Sequence, residues 1–573
     1  MLDLAIRSGT IVDGSGATPF EGDVGILDGR IVAVGRLDEP ARSEIDADGL
    51  LVTPGWVDVH THYDGQVTWD PQVTPSSWHG VTTVVMGNCG VGFAPVRSGT
   101  EEYLIKLMEG VEDIPGTALA EGIDWSWESF PEYLDAIERK PHVLDVGAQV
   151  PHGALRFYVM GERGTDHTEA PSAEEIEQMG RLVREAIRAG ALGFTTSRTK
   201  NHRTSDGRYT PSLTAGEAEL VGISRACGEA GRGVFEIVSD FVGGEEEWSL
   251  FRRMVEASGR PMSISLAQND ASPEGWRRAL ANLDEANARG LPMKAQVATR
   301  AIGILLGYEA TMNPFSSHPS YQEVAELPLA ERVARLRDAE LRRRLLAERP
   351  APALAFLVGQ FDRIFVLGDP PDYEPPADAS VAAEAARRGL QPEELVYDLL
   401  LKDEGRALLY RPLLNYSDFD LEAVREMLLH EHTVPGLGDA GAHCGLICDG
   451  SFPTYLLSHW GRARTRGERL PVEWLVKSQT ADTAALVGLH DRGRIAPGMK
   501  ADLNLIELDR LALRHPEIVH DLPAGGKRLV QRADGYHTTI QNGEVTFRDG
   551  EPTGALPGRL VRGPQPAGLT HRE

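Results

Sequence analysis

Two histidines separated by a single residue, His60 and His62, stand at the end of an apolar run, Val57-Asp58-Val59-His60-Thr61-His62-Tyr63-Asp64. Val57, Val59 and Thr61 alternate with Asp58, His60 and His62, the period of a strand, so both imidazoles project from one face. Neutral imidazole ligates divalent cations through a ring nitrogen, and two on one face of a strand end can reach the same ion. A second β-branched run, Val81-Thr82-Thr83-Val84-Val85-Met86, leads into Gly87-Asn88-Cys89-Gly90 and delivers a thiol at a glycine-rich turn. Much further on, in Pro435-Gly436-Leu437-Gly438-Asp439-Ala440-Gly441-Ala442-His443, an aspartate follows an apolar strand in a loop of small residues. A carboxylate beside an ion can ligate it and also take a proton from water. His60, His62, Cys89 and Asp439 together therefore read as a centre for metal-assisted hydrolysis. Imidazole and thiolate donors favour Zn2+. Two blander readings stay open: Asp439 as the cap of a turn, and Cys89 as a thiol that ligates nothing.

Such a centre needs strands whose ends meet. From Pro54 onward apolar strands alternate with amphipathic helices, with strands near 56–61, 81–87, 144–149, 191–196, 233–238, 261–266, 292–297 and 434–438. Helical patterns lie near 173–189, 215–230 and 273–289. Eight strands in this alternation predict an α/β protein built on a (β/α)8 TIM-like barrel. Strand eight then closes on strand one and brings Asp439 to His60 and His62. Residues 1–53 read as short strands with glycine turns, among them Asp3 to Arg7 and Thr10 to Val12. Residues 485–561 return to that character, with the hairpin signal Asn542-Gly543. The two segments are expected to join in one small β-sandwich domain beside a barrel spanning 54–484, leaving 562–573 as a loose tail. A helical insertion occupies about 300–430, between strands seven and eight, with helices expected over 327–348 and 380–405. It would serve as a lid over the barrel mouth or as a contact between subunits.

At 573 residues, 41% hydrophobic and 25% charged, the chain has the make-up of a soluble globular protein with a sizeable core. Its net charge of -27 repels nucleic-acid phosphates and anionic membrane surfaces, which leaves a small molecule as the expected partner. No apolar run reaches the ~18 residues of a transmembrane helix. The stretch Met1-Leu2-Asp3-Leu4-Ala5-Ile6-Arg7 lacks the layout of a signal peptide. Cys89, Cys227, Cys444 and Cys448 read as reduced thiols of a cytoplasmic protein. The expected assembly is a homo-oligomer.

At this point the residues carry a resemblance. Val57 to His62, with Gly80-Val81-Thr82-Thr83-Val84 and Gly87-Asn88-Cys89-Gly90, resembles the amidohydrolase superfamily, and within it the N-acyl-D-amino-acid deacylase (D-aminoacylase) family. The likeness continues through His152-Gly153-Ala154-Leu155-Arg156, Gly190-Ala191-Leu192-Gly193 and the stretch from Asp491 to Leu503. It covers nearly the whole chain and is weakest over 300–430. It implies metal-dependent deacylation of an N-acyl amino acid or a related small amide. His60, His62, Cys89 and Asp439 match one metal position, with Cys89 in the bridging role that a carboxylated lysine has in many relatives. The family also places a histidine at the ends of strands five and six for a second ion. Here those ends read Glu236-Ile237-Val238-Ser239-Asp240 and Ser265-Leu266-Ala267-Gln268-Asn269-Asp270, without histidine. A mononuclear site is therefore expected, a second ion being missing or held by ligands rebuilt from Glu236, Asp240 or Gln268.

For the chemistry itself, Asp439 is the expected general base, returning its proton to the leaving nitrogen. His152, His443 or Lys200 would donate to the oxyanion. Arg198 is the candidate fork for a substrate carboxylate, and Tyr63, Lys200 and Arg300 are further substrate-binding candidates. Two other readings stand beside this one. A cyclic-amide hydrolase resembling hydantoinases or dihydroorotases would want a lysine on strand four. A non-catalytic oligomeric scaffold of the same fold would suit the missing histidines.

Overall fold

The computed structural model describes residues 1–352 and 354–568. Its centre is a closed ring of eight parallel strands: β1 Trp56–Asp58, β2 Val81–Met86, β3 Asp145–Ala148 (continued by Val150–Pro151), β4 Gly193–Arg198, β5 Val234–Ser239, β6 Met262–Leu266, β7 Met293–Val297 and β8 Thr433–Pro435. β-Branched and aromatic residues dominate these runs, and both faces are covered, as parallel strands require. Every residue of β2 is buried. The ring closes where Thr61 pairs with Ala440 and the His62 amide donates to the Ala440 carbonyl at 2.8 Å. This is the (β/α)8 barrel that the alternation of strands and helices predicts.

Strands from the two ends of the chain share one sheet. Leu503–Ile506 pairs antiparallel with Leu51–Pro54 and so joins the strands of residues 2–54 to those of residues 503–552. Ile6, Val24, Ile26, Leu503, Leu505 and Ile540 form its core. Asp3 to Arg7 and Thr10 to Val12, expected as two strands, belong to one strand, Leu2–Ile11. Its register shifts between Ile6 and Gly9, where Ser8 takes a left-handed conformation. Arg562 pairs with Asp135 and Glu138, and Gln565 bridges to Leu489, so residues 562–568 lie against the barrel rather than as a loose tail. The rest of that expected tail, 569–573, falls outside the described residues.

The insertion has a core of its own, including Leu306, Tyr308, Phe315, Leu336, Leu345 and Leu400, around three antiparallel strands. The helix expected over 327–348 is two. Asp338 caps the second by accepting from the Leu341 amide at 3.0 Å. The helix expected over 380–405 breaks at Gly389, in a left-handed conformation, before Pro392 opens the next. Leu446 and Ile447, on the loop that follows Asp439, pack against this core. Leu305 also donates to the Leu446 carbonyl at 2.7 Å, so the insertion sits on the mouth side of the barrel. Between β2 and β3 the chain forms helices that the sequence reading did not place, the first being α1, Glu101–Glu112. The helix between β6 and β7 is α2, Gly275–Ala288. No helix among the described residues is long and apolar enough to cross a membrane.

Candidate functional site

His60 and His62 leave the C-terminal end of β1, Cys89 follows β2, and Asp439 follows β8. The ligand atoms of His60, His62 and Cys89 lie within 4.8 Å of one another, and the barrel closure brings Asp439 against the two histidines. His60 Nε2 lies 3.2 Å from Asp439 Oδ1 and 3.3 Å from Cys89 Sγ, while His62 Nε2 lies 3.5 Å from the same aspartate oxygen. Bond lengths of about 2.0–2.3 Å to a tetrahedral zinc would hold its ligand atoms roughly 3.3–3.8 Å apart. The observed spacings match that frame. Neither ring nitrogen of His62 has a hydrogen-bond partner, nor does Asp439 Oδ1, although all are buried atoms. Unpaired polar atoms converging on one point are what a bound cation would satisfy. Cys89, Asp439 and His443 all take positive φ values, 55°, 43° and 51°. That left-handed backbone is costly for residues other than glycine and clusters at functional sites.

The surroundings are acidic. Asp58 and Asp64 are each pushed up to about 7 by burial, and burial also raises Glu112 and Glu236. Burial works against the charged form of Asp439 too, but the His62 contact and the imidazoles of His60, His62 and His443 hold it well below the usual carboxylate range. The Cys89 thiol is pushed far up by burial and by these acids. The neighbouring charges that weigh most on these groups are one another's and the imidazoles', with no lysine or arginine among them. A divalent cation would neutralise this excess and favour the thiolate.

Residues outside the expected set complete the site. Gln296 on β7 accepts from His60 Nδ1–H at 2.7 Å while its own amide donates to Ser263 Oγ at 3.0 Å. That fixes the tautomer with the His60 Nε2 lone pair aimed inward. Glu112, the last residue of α1, lies 3.5 Å from His62 Nδ1 and 3.6 Å from His443 Nε2. Glu236 on β5 accepts from the Cys89 amide at 2.9 Å. Of the three residues considered for rebuilding a second metal position, it is the one at the centre. Gln268 is engaged by Asn415, Asp418 and Ser417, and Asp240 by Thr199 and Lys200. His202, on the loop after β4, has Nδ1 2.9 Å from Ser197 Oγ. Gly90 abuts the Ser197 backbone and Gly110 of α1 abuts Arg203 and Thr204, which sets this loop between the Cys89 turn and the Glu112 helix. Burial and the nearby charges of His443 and His62 push His202 down to about 3, so it is a neutral imidazole.

Several expected site residues are engaged elsewhere. His152 is fully buried, with Nδ1 2.8 Å from Thr196 Oγ1 and Nε2 3.0 Å from Glu219 Oε1, so neither nitrogen is free to meet an oxyanion. The Arg198 fork is closed on Glu247, at 2.6 and 2.9 Å. Arg300 is buried, donates to Asp449 at 2.9 Å and stacks 3.5 Å from the Tyr373 ring centre. The Tyr63 hydroxyl is buried against Ser76, 2.8 Å from its Oγ. Lys200 makes no ion pair among the described residues and lines an outer cleft with Arg198, Asp240 and Thr214. His443 stays at the centre, 3.8 Å from Asp439 Oδ2.

The chain is similar to known proteins along nearly its whole length. The model of the amidohydrolase family matches residues 43–547. D-Aminoacylase of Alcaligenes xylosoxydans xylosoxydans is 27% identical over 580 residues, spanning 98% of this chain and 97% of that one. N-Acyl-D-glutamate deacylase of the same organism is 27% identical over 575 residues, spanning 98% and 96%. The solved N-acyl-D-glutamate deacylase from Bordetella bronchiseptica, in complex with zinc and a phosphonate mimic of the tetrahedral intermediate, superposes with a TM-score of 0.64. The identity is 24% over 98% of this chain and 99% of that one, a likeness of fold.

Proposed function

We propose that this chain, a member of the amidohydrolase family, hydrolyses a C–N bond other than a peptide bond, the amide of an N-acyl amino acid or a related small amide. His60, His62, Asp439 and Cys89 would hold one Zn2+. The observation that carries the reading is the convergence of the His60 and His62 Nε2 atoms on one Asp439 oxygen, at 3.2 and 3.5 Å, with Cys89 beside them. When bound, the ion would polarise the scissile carbonyl and lower the pKa of water towards ~7.

The protein's own groups supply the remainder. Gln296 keeps His60 in the ligating tautomer, and Glu112 lies 3.5 Å behind His62 Nδ1 without a hydrogen bond to it. Asp439, held ionised and with a side chain 20% exposed, accepts a proton from the attacking water and returns it to the leaving nitrogen. His443, and His202 with its Nδ1 held by Ser197, present imidazole N–H groups for the developing oxyanion. Of the candidates Arg198, Lys200 and Arg300, Lys200 is the one without a carboxylate ion pair among the described residues and so the one to meet an acidic group of the substrate. The test is a panel of N-acyl D- and L-amino acids, cyclic imides and small amides, with zinc measured on the same sample. Hydrolysis of an acyclic N-acyl substrate that Asp439→Asn abolishes supports the reading. Turnover of cyclic imides alone, or of nothing in a zinc-loaded sample, counts against it.

A further inference from the structure

We propose that the chain carries a second divalent-cation site, at the opposite end of the barrel from His60 and His62, built from Asp284, Glu431 and His432, whose ligand atoms all lie within 4.8 Å of one another, with His430 beside Asp284. The tripeptide His430-Glu431-His432 leads into β8 at its N-terminal end, and Asp284 faces it from α2. His430 Nε2 lies 3.2 Å and His432 Nε2 lies 3.8 Å from the same Asp284 Oδ1, and Glu431 Oε1 stands 3.3 Å from His432 Nε2.

This arrangement copies the one at the barrel mouth. There, two histidines one residue apart meet a single aspartate oxygen at 3.2 and 3.5 Å, with ring centres 5.6 Å apart and planes inclined at 64°. Here the ring centres are 5.7 Å apart and inclined at 64°. Both sets fall near the roughly 3.3–3.8 Å that a tetrahedral ion imposes on its ligand atoms. The imidazole–carboxylate contacts at this second cluster lie within ion-pair range without the alignment of hydrogen bonds, as at the mouth. An imidazole and two carboxylates, with water free to complete the shell, favour a borderline transition ion such as Zn2+ over Mg2+ or Ca2+.

Two features make the site weaker than the buried one. Asp284 and Glu431 are 55% and 79% exposed, so they hold their positions at an entropic cost and in high dielectric. His430 Nδ1 also accepts from the His432 amide at 3.3 Å, which favours the tautomer with the proton on Nε2, the nitrogen that faces Asp284, so His430 adds no lone pair to the site. Occupied, the site would clamp α2 to the entry of β8.

The test is a zinc titration of the metal-free full-length protein against a chromophoric chelator, with thermal unfolding followed at each zinc level. The wild type should show two classes of site, one tight and one at least tenfold weaker. Asp284→Asn and His432→Ala should each lose the weak class, and its zinc-dependent rise in Tm, while keeping the tight class. His60→Ala should do the reverse, so failure of the catalytic reading and failure of this one give different titrations. Identical titrations for wild type, Asp284→Asn and His432→Ala would overturn the proposal, as would a wild type with no weak class.

Discussion

Replacing Gln296 by leucine isolates how the barrel prepares a ligand. Gln296 is 2% exposed, and its oxygen accepts from His60 Nδ1–H at 2.7 Å. Leucine nearly keeps the volume, so little cavity opens, and the losses are the acceptor for His60 and the donor to Ser263 Oγ, whose hydroxyl still donates to the Phe235 carbonyl. A buried N–H left without a partner costs about 1–3 kcal/mol. That cost falls on the tautomer whose Nε2 is free to ligate, so it appears in metal affinity. At about 1.4 kcal/mol per factor of ten, zinc binding should weaken by roughly 10–100-fold, the range seen when outer-shell partners of metal-bound histidines are removed. Titration of the metal-free variant against a chelator reads this directly. At saturating zinc the kcat should return to within about threefold of the wild type, because the reacting groups are untouched. An unchanged zinc affinity would refute the reasoning, since His60 would then not be ligating through a nitrogen whose partner depends on Gln296.

Three further outcomes follow from the same geometry. His202→Ala should lower kcat by about 10²–10³-fold, the value of one oxyanion donor, while zinc content stays that of the wild type; a parallel loss of zinc would make it a structural residue. Arg198→Met should take the guanidinium from Glu247, leaving it the Ser239 hydroxyl, and cost about 1–3 kcal/mol in a denaturant melt, with KM for N-acyl amino acids unchanged; a raised KM would restore Arg198 to the substrate site. Asp145 is buried between Arg492, at 2.8 Å, and Lys500. Burial opposes its charge, yet Lys500 and Arg492 hold it below the ordinary carboxylate range. Its contribution is therefore present above the unfolded value of ~3.9 and is lost as pH falls from there through the lower folded value. Asp145→Asn should cost about 3–5 kcal/mol at neutral pH and flatten that acid limb in pH-dependent unfolding; an unaltered acid limb would contradict this.

The centre was legible where residue type and strand period coincide. His60, His62, Cys89 and Asp439 each sit at a strand end, and knowing which strand closes on which was enough to bring them together. Lysines, arginines and lone histidines were not legible in the same way. A cation near a barrel mouth looks like a substrate ligand until its partner is known, and Glu219, Glu247 and Asp449 lie 67, 49 and 149 residues from His152, Arg198 and Arg300. Tyr63 turned inward for a similar reason: Ser76 and its hydroxyl satisfy each other out of reach of solvent. Glu112 was missed although its helix carries an apolar stripe, Tyr103, Leu104, Leu107, Met108 and Val111, because a buried glutamate cannot be told from a surface one by type. Gln296 had a faint signal, a polar residue between Ala295 and Val297 in the strand Met293–Val297, blurred by Lys294 two positions earlier. The pairs at the second cluster, Asp284 with His430 and His432, join α2 to β8 across the whole insertion and left no local trace.

The most direct test of the account is anomalous diffraction at the zinc edge from crystals of the zinc-loaded protein. A peak within bonding distance of the His60 and His62 Nε2 atoms and of Asp439, absent in His60→Ala crystals, is the predicted result. A well-ordered wild-type barrel with no peak among those three side chains would contradict it.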